Sequence, residues 1–571
     1  MHGARRPAFL LLMGALAAQE PTCRLEGSVI DPQARGVPNA AIAIEREGTV
    51  IPQTRSDGQG RFVVGRVTQV TVTVRATAEG PYVGGTKVDL GLQPQAFVSV
   101  RLMPARKLSG RVLDAEGAAV AGAWVATTPT GDGEFGVLGT ATRSDAEGRF
   151  VFEHVPFGRN ALRVWRPSTY GFAADIDGAG DVELECRLEA DDPQERNFEL
   201  QDATPAQRST AVLTMTAFAE GSHMPLPPEL RRPPLDDTKR WRVHGWPFAD
   251  AMRARLSIPG ACSDPDEVSV PADLPDRTKF FSVEPAEAAV VRGILVATGC
   301  ELPKGGVPLA IRSSHEHERE EPWILGRADG DGSFVLPSPV ARDRGFCLRC
   351  LDERFALQVE VTNPLLAPPL WYSYGAKHKA GQEHRPVLRP ACKVRCDVRN
   401  PDGTPFAGAT VMLLAPERGL MRFANGKGVQ GAALYATDHS NRDGTCELLG
   451  LGVPDGRELV CQISGPGGFL KHRFAVSAEP MQDLGVLTVG PAVTLRGLVV
   501  SADGRAMPGA RVRVDNWSGS ERTYLLAADR DGTFVVAGLM PGQCDVLVVG
   551  NRASMQSLSL EAGATVDVTL K

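Results

Sequence analysis

Apolar and polar residues alternate along most of this chain in short runs, each closed by a turn-forming pair. Leu108-Ser109-Gly110-Arg111-Val112-Leu113-Asp114 leads into Glu116-Gly117, and Leu495-Arg496-Gly497-Leu498-Val499-Val500 into Asp503-Gly504. Period-2 alternation closed by Asp-Gly or Glu-Gly predicts a strand and then a tight turn. A small-residue elbow comes next: Pro38-Asn39-Ala40, Ala121-Gly122-Ala123, Ala407-Gly408-Ala409 or Pro508-Gly509-Ala510. Pro presets such a bend and Gly permits it, so a second strand is expected after each elbow.

A third signal sets the period. An acidic or amide residue is followed three positions later by Gly, and two after that by an apolar residue. It reads Asp57-Gly60-Phe62, Asp145-Gly148-Phe150, Asp329-Gly332-Phe334, Asn441-Gly444-Cys446 and Asp529-Gly532-Phe534. A worn copy, Asp236-Lys239-Trp241, fills the one wide gap. The Asp side chain caps its own turn, Gly takes a positive φ, and the aromatic faces inward. Phe62, Phe150, Trp241, Phe334 and Phe534 are therefore expected at one repeated, buried strand position. A further turn, Pro156-Phe157-Gly158 or Met540-Pro541-Gly542, leads to another alternating strand.

Six or seven short strands in about 80–100 residues describe a β-sandwich. The repeat is the size of a small domain, not of a solenoid turn. The expected fold class is all-β: a tandem array of about six Ig-like or transthyretin-like β-sandwich modules, at 23–105, 106–190, 206–285, 286–390, 391–490 and 491–571. The third is the most diverged. Trp246-Pro247 keeps the offset from Trp241 that Val155-Pro156 keeps from Phe150. Its elbow, however, is lost in Met224-Pro225-Leu226-Pro227-Pro228, expected as an extended loop.

The string Gly110-Arg111-Val112, Gly117, Gly122-Ala123, Ser144-Asp145, Gly148-Arg149-Phe150 resembles the carboxypeptidase regulatory-like domain. That resemblance implies a transthyretin-like seven-stranded sandwich, related to starch-binding-type and other bacterial Ig-like folds. Copies one, two and six carry it best, and four and five in part. The motif describes turns and core positions, so it speaks for fold and is nearly silent on function.

At 571 residues the chain exceeds what one core supports, as an array requires. Gly (61) and Pro (43) are plentiful while apolar content stays at 43%, which fits many turns rather than disorder. Net charge is −6 with no basic stripe, arguing against nucleic acid. Arg5-Arg6, the run Ala8-Phe9-Leu10-Leu11-Leu12-Met13-Gly14-Ala15-Leu16 and an Ala15-Leu16-Ala17 cleavage pattern predict a signal peptide at 1–18. No later stretch is long and apolar enough to span a bilayer. The mature chain is expected to be secreted, periplasmic or on the cell surface.

Secretion permits disulfides, and eleven cysteines are present. Cys392, Cys396, Cys446 and Cys461 fall in the fifth module, and Cys300, Cys347 and Cys350 in the fourth. Cys446 stands where other copies place Phe. It is either a small core residue or a partner in a disulfide of that module. Cys347-x-x-Cys350 has zinc-like spacing but lacks a second pair.

No nucleophile elbow, P-loop or dinucleotide fingerprint occurs. His315-Glu316-His317-Glu318 contains the His-x-x-Glu half-motif of metallocarboxypeptidases, but its place inside a module leaves no room for their catalytic domain; a solvated hairpin tip is favoured. Asp329-x-Asp331-Gly332 and Asp529-x-Asp531-Gly532 hint at calcium loops, yet Met540 stands where a late Glu ligand would be needed, so plain turns are expected. Trp371, Tyr372 and Tyr374, after Pro368-Pro369, and less so Trp517, offer flat rings for sugar contact; packing in or beside the sheets is the competing reading. The expectation is a non-enzymatic envelope protein for adhesion, scaffolding or ligand binding, with no cofactor or metal. Its partner would be an extracellular protein or polysaccharide. Carbohydrate binding through exposed aromatics and a hydrolase with an atypical site in the third or fourth module are the alternatives.

Overall fold

The computed structural model describes residues 22–571 apart from 34, 47–48, 69–70, 91–94, 131–137, 167–168, 189–194, 220–221, 236–239, 245–250, 259–262, 265–266, 272–278, 284–289, 314–322, 338–344, 358–373, 378–381, 423–427, 452–455, 466–467, 478, 517–521 and 550. The fold is the tandem all-β array expected. Among the described residues helix is confined to Pro205–Thr210 and Pro228–Arg231.

The sixth sandwich displays the plan. A three-stranded sheet places Val493–Val499 between Thr533–Leu539 and Thr565–Leu570. It faces four strands in the order Arg522–Ala527, Arg511–Asn516, Gly542–Val548, Asn551–Leu560. The first, second and fifth sandwiches repeat this three-against-four layout. In every module the opening strand pairs in parallel with a strand near the module's end: Thr22–Ile30 with Gln95–Arg101, Cys392–Arg399 with Met481–Thr488, Val493–Val499 with Thr565–Leu570. A parallel pair needs a long crossover, and here nearly the whole module supplies it.

The repeated turn follows the sequence reading. Gly60, Gly148, Gly332, Gly444 and Gly532 all have φ between 76° and 88°. At Gly148 a Cβ would also lie 2.5 Å from the Val112 carbonyl oxygen, which the opening strand presents to the turn. Position and backbone conformation therefore both call for glycine. Phe62, Phe150, Trp241, Phe334 and Phe534 are all buried on strands, as is Cys446. Asp236 and Lys239 of the worn copy lie outside the described residues.

A buried serine just before the turn adds a tie. Ser144 Oγ accepts from Ala123 N (2.9 Å) and donates to Val120 O (2.7 Å), binding the turn to the elbow. Ser56 and Ser440 make the same pair of bonds in the first and fifth modules.

Opposite the repeated aromatic stands a glycine of the opening strand. The register pairs are Gly27 with Phe62, Gly110 with Phe150, Gly293 with Phe334 and Gly497 with Phe534. The ring packs against that glycine, so a Cβ on Gly110 would sit 2.7 Å from Phe150 Cζ. The third module pairs Phe198 with Trp241 instead, and the fifth pairs Cys396 with Cys446.

The third sandwich opens with Glu195–Gln201, hydrogen-bonded between Arg240–His244 and Lys279–Val283. That strand lies ahead of the expected start at 206. Its core continues into Ala126, Ala161 and Trp165 on the outer face of the second sandwich. Met224 and Leu226, from the Pro-rich stretch expected as an open loop, are buried in it, and Ser222–Met224 is a short edge strand.

Candidate interaction surface

The acidic turns that resemble calcium loops are plain turns, as expected. Asp331 Oδ1 accepts from Ser333 N (2.9 Å) and Ser333 Oγ (2.7 Å), and Asp531 Oδ1 from Thr533 N (3.1 Å) and Thr533 Oγ (2.6 Å). The serine and threonine hydroxyls, and then the backbone N–H, hold these carboxyls below the usual range. Their oxygens cap the turn, as a plain turn requires.

Cys347 and Cys350 lie three apart on the strand Gly345–Cys350. Alternation puts side chains at that spacing on opposite faces, so this strand does not offer a two-thiol metal hook. Among the described residues no group of three or more His, Cys, Asp or Glu is placed to hold a metal ion. His315, Glu316, His317 and Glu318 lie outside the described residues, as do Trp371, Tyr372 and Trp517. Tyr374 opens the strand Tyr374–Lys377 at the edge of the fourth module's sheet, pairing with Leu348. No helix among the described residues is long and apolar enough to cross a membrane.

The unexpected geometry lies between modules far apart in sequence. Arg106, 1% exposed, donates from Nη1 to Asp177 O (2.7 Å) and Gly178 O (2.8 Å), and from Nη2 to Gly158 O (2.8 Å). It knits two loops of the second module into one ledge. Burial lowers its pKa, with Asp177 acting the other way. The sixth module sits on that ledge. A Cβ on Gly509 would lie 2.9 Å from Gly178 O and 3.0 Å from Gly158 N. Arg511, also buried, reaches across to donate to the Thr130 and Arg159 carbonyls. The elbow glycine that turns the sixth module's chain is thus also the point of closest approach to the second.

The first and fifth modules meet in the same way. The elbow glycine Gly408 faces the Phe97 ring, which stacks tilted on His439 at 6.0 Å. Arg442 lies 3.8 Å from Asp57, so the two repeated turns face each other. Asp438, beside this contact, is pushed up to about 6 by burial, against a hydrogen bond from the His439 N–H.

Consecutive modules are also joined. The first two share a sheet through Tyr82 with Pro104 and Val83 with Met103. The second holds the third through Trp124 Nε1 to Pro225 O (3.1 Å), Thr128 Oγ1 to His223 O (2.7 Å) and the Arg143–Glu229 ion pair (2.8 Å). Lys393 links the fifth to Glu353 of the fourth at 2.7 Å.

Elbow glycines 408 and 509 were visible in the sequence as turn residues; their second use against another module was not. Arg106 and Arg511 carried no signal, because an arginine in an alternating strand reads as its exposed face.

Among solved structures, a streptococcal ancillary pilin is 10% identical, with 49% of this chain and 99% of that one covered, at a TM-score of 0.18. GBS52, a minor pilin of Streptococcus agalactiae, is 14% identical over 32% of this chain and 94% of its own, at 0.18. The shaft pilin SpaA from Lactobacillus rhamnosus GG is 10% identical over 30% and 98%, at 0.15. Likeness at this level sets no constraint on what the chain does. No curated protein matches it. The model of the carboxypeptidase regulatory-like domain matches in two places, and both are modules that meet at the Arg106–Arg511 ledge. Residues 107–201 and 494–571 are similar to the carboxypeptidase regulatory-like domain.

Proposed function

We propose that this chain is a non-enzymatic scaffold of the cell envelope, built to present binding surfaces to an extracellular protein or polysaccharide. The observation that carries the reading is the double contact of non-consecutive modules, fifth on first and sixth on second. A string of sandwiches joined only end to end would swing at each linker. Contacts between distant modules instead hold the loops of several modules in one fixed array, and loops on a rigid frame are where binding surfaces are built. The polar side chains of the repeated turns cap backbone, which leaves little of the motif for catalysis.

Small-angle scattering on the purified chain tests the frame. A compact body of this length has a radius of gyration of about 25 Å. A value of about 25–35 Å is expected, and one roughly twice as large, as an open string gives, would sink the reading. A panel of peptidase, esterase and glycosidase substrates tests the rest. Turnover lost on His315→Ala or His317→Ala would replace the scaffold with an enzyme. For the partner, a polysaccharide array with wild type and Trp371→Ala asks whether Trp371, Tyr372 and Tyr374 form the contact patch. Wild-type binding lost in the variant would make the ligand a glycan.

A further inference from the structure

The fifth module breaks the repeated core in three places at once, each time with cysteine. Cys396 replaces the glycine under the ring, and its register partner Cys446 replaces the ring. Cys461 pairs with Leu413 in the facing sheet. The same register position holds Val74 in the first module, Leu162 in the second and Val546 in the sixth. Losing one ring would be offset by any larger aliphatic residues. Three thiols in one core instead point to thiol chemistry.

The three lie in one core cluster, each no more than 3% exposed. Cys396 and Cys446 are register partners, and Cys461 lies with them in the same core. The neighbouring Cys446 and Cys461 thiols lower the Cys396 pKa, while Cys396 and then burial raise theirs. The fourth cysteine of the module, Cys392, bonds its own strand at Lys393 O (3.6 Å).

Strand geometry decides which pair can join. Val398 N donates to Gly444 O at 2.9 Å, so Val398 and Gly444 form a hydrogen-bonded register pair. Alternation makes Cys396 and Cys446, two steps along, a hydrogen-bonded pair as well. Cβ atoms of such pairs lie toward the wide end of about 4.5–5.5 Å, while a disulfide wants about 3.5–4.5 Å. Cys461 approaches from the opposite sheet, free of that spacing. The geometry points to a Cys396–Cys461 disulfide that staples the two sheets of the fifth sandwich together, with Cys446 left as a thiol.

The step balances with a disulfide oxidant such as glutathione disulfide. The Cys396 thiolate attacks one of its sulfurs and releases one glutathione thiolate. The Cys461 thiolate then displaces the second glutathione, closing the S–S bond. Two electrons pass to the oxidant and two protons leave the cysteines. The core excludes the oxidant once packed, so the bond forms before the sandwich closes. Formation in the cell depends on the expected export, but the test below does not.

The full chain is unfolded in denaturant, refolded with oxidised and reduced glutathione, quenched in acid, alkylated unfolded without reductant and mapped by mass spectrometry. A peptide linking Cys396 to Cys461, with the alkyl group on Cys446, is expected. Alkylation of both Cys396 and Cys461, or any other pairing of the three, overturns the proposal. Cys446→Ala should keep the cross-link, and reductant should lower the melting temperature of its fifth module by about 10 °C or more. Cys461→Ala should abolish that sensitivity; if it persists, the staple is elsewhere. Because mapping is done on the wild-type chain, a variant that fails to fold leaves the test standing. An open string in scattering with this cross-link present would fail the scaffold reading and not this one.

Discussion

The fifth and sixth sandwiches share a strand order, a turn and a parallel opening pair, yet fill one core position in opposite ways. In the sixth, the Phe534 ring covers Gly497, and the fit depends on glycine having no side chain. In the fifth, Cys396 and Cys446 divide the same space between two small side chains. The fold therefore needs a filled volume there, not a ring, and volume-conserving exchange is what cores tolerate best. The third module shows the other extreme. Phe198 and Trp241 occupy the pair, and that core grows outward to take in Trp165 of the second module.

The largest expected effect tests that difference directly. Phe534→Ala removes a ring whose neighbours, Gly497 above all, cannot close the gap, and should cost the sixth module about 3–5 kcal/mol. Cys446→Ala in reductant removes one small group and should cost less than about 1.5 kcal/mol. Calorimetry on the two variants gives the comparison. Equal losses would mean that the register equivalence is misplaced.

A second contrast sets module contacts against module cores. Arg511→Ala removes a buried guanidinium that serves the contact with the second module. The expected cost is about 1–3 kcal/mol, from the Thr130 and Arg159 carbonyls losing the guanidinium's hydrogen bonds. It should appear as a wider scattering envelope with the sixth module's own unfolding enthalpy unchanged. Loss of that enthalpy as well would make Arg511 a core residue of its own module.

A third compares two glycines of one module. Gly148 and Gly117 both have positive φ, 76° and 84°. A Cβ on Gly148 meets the Val112 carbonyl, whereas nothing lies within 4 Å of one on Gly117. Gly117→Ala should cost about 1 kcal/mol from backbone strain alone, and Gly148→Ala roughly twice that. Thermal melts of the two variants rank them, and equal shifts would remove the carbonyl from the account.

The sequence carried the local half of this structure. Asp145-x-x-Gly148-x-Phe150 specifies a turn and a core ring within six residues, because a cap, a positive φ and an inward side chain are all short-range requirements. The glycine under the ring was also on view, in Gly110-Arg111-Val112, but its reason was not: Phe150 meets it only after the strands pair. The serine tie was likewise visible as Ser144-Asp145 without its partner at the elbow. Contacts between modules left no periodic mark, since Arg511 and Gly509 satisfy the pattern of their own sandwich first. Trp371 and Tyr372, the ring pair chosen for sugar contact, lie outside the described residues, so they remain a proposal read from residue type.

A fourth contrast sets how the fifth module meets the first against how the sixth meets the second. The latter rests on arginines, which keep their charge at all ordinary pH. The former has Asp438 beside it, with the Cys23 thiol of the first module and the Cys446 thiol of the fifth both feeling its charge. Burial raises the Asp438 carboxyl from 3.8 to about 6. Between those values the folded chain holds a proton that the unfolded chain has released. Stability from this group is therefore complete below about pH 4 and falls as pH rises through about 6. That rise corresponds to about 3 kcal/mol, which the residue's partial exposure to water cuts to about 1–2 kcal/mol. Melting followed from pH 4.5 to 7.5 should show the fifth module's transition fall relative to the sixth's. Asp438→Asn, which cannot ionise, should flatten that relative slope. If the slope survives the substitution, the titrating group lies elsewhere, and the two module contacts do not differ in their response to acid.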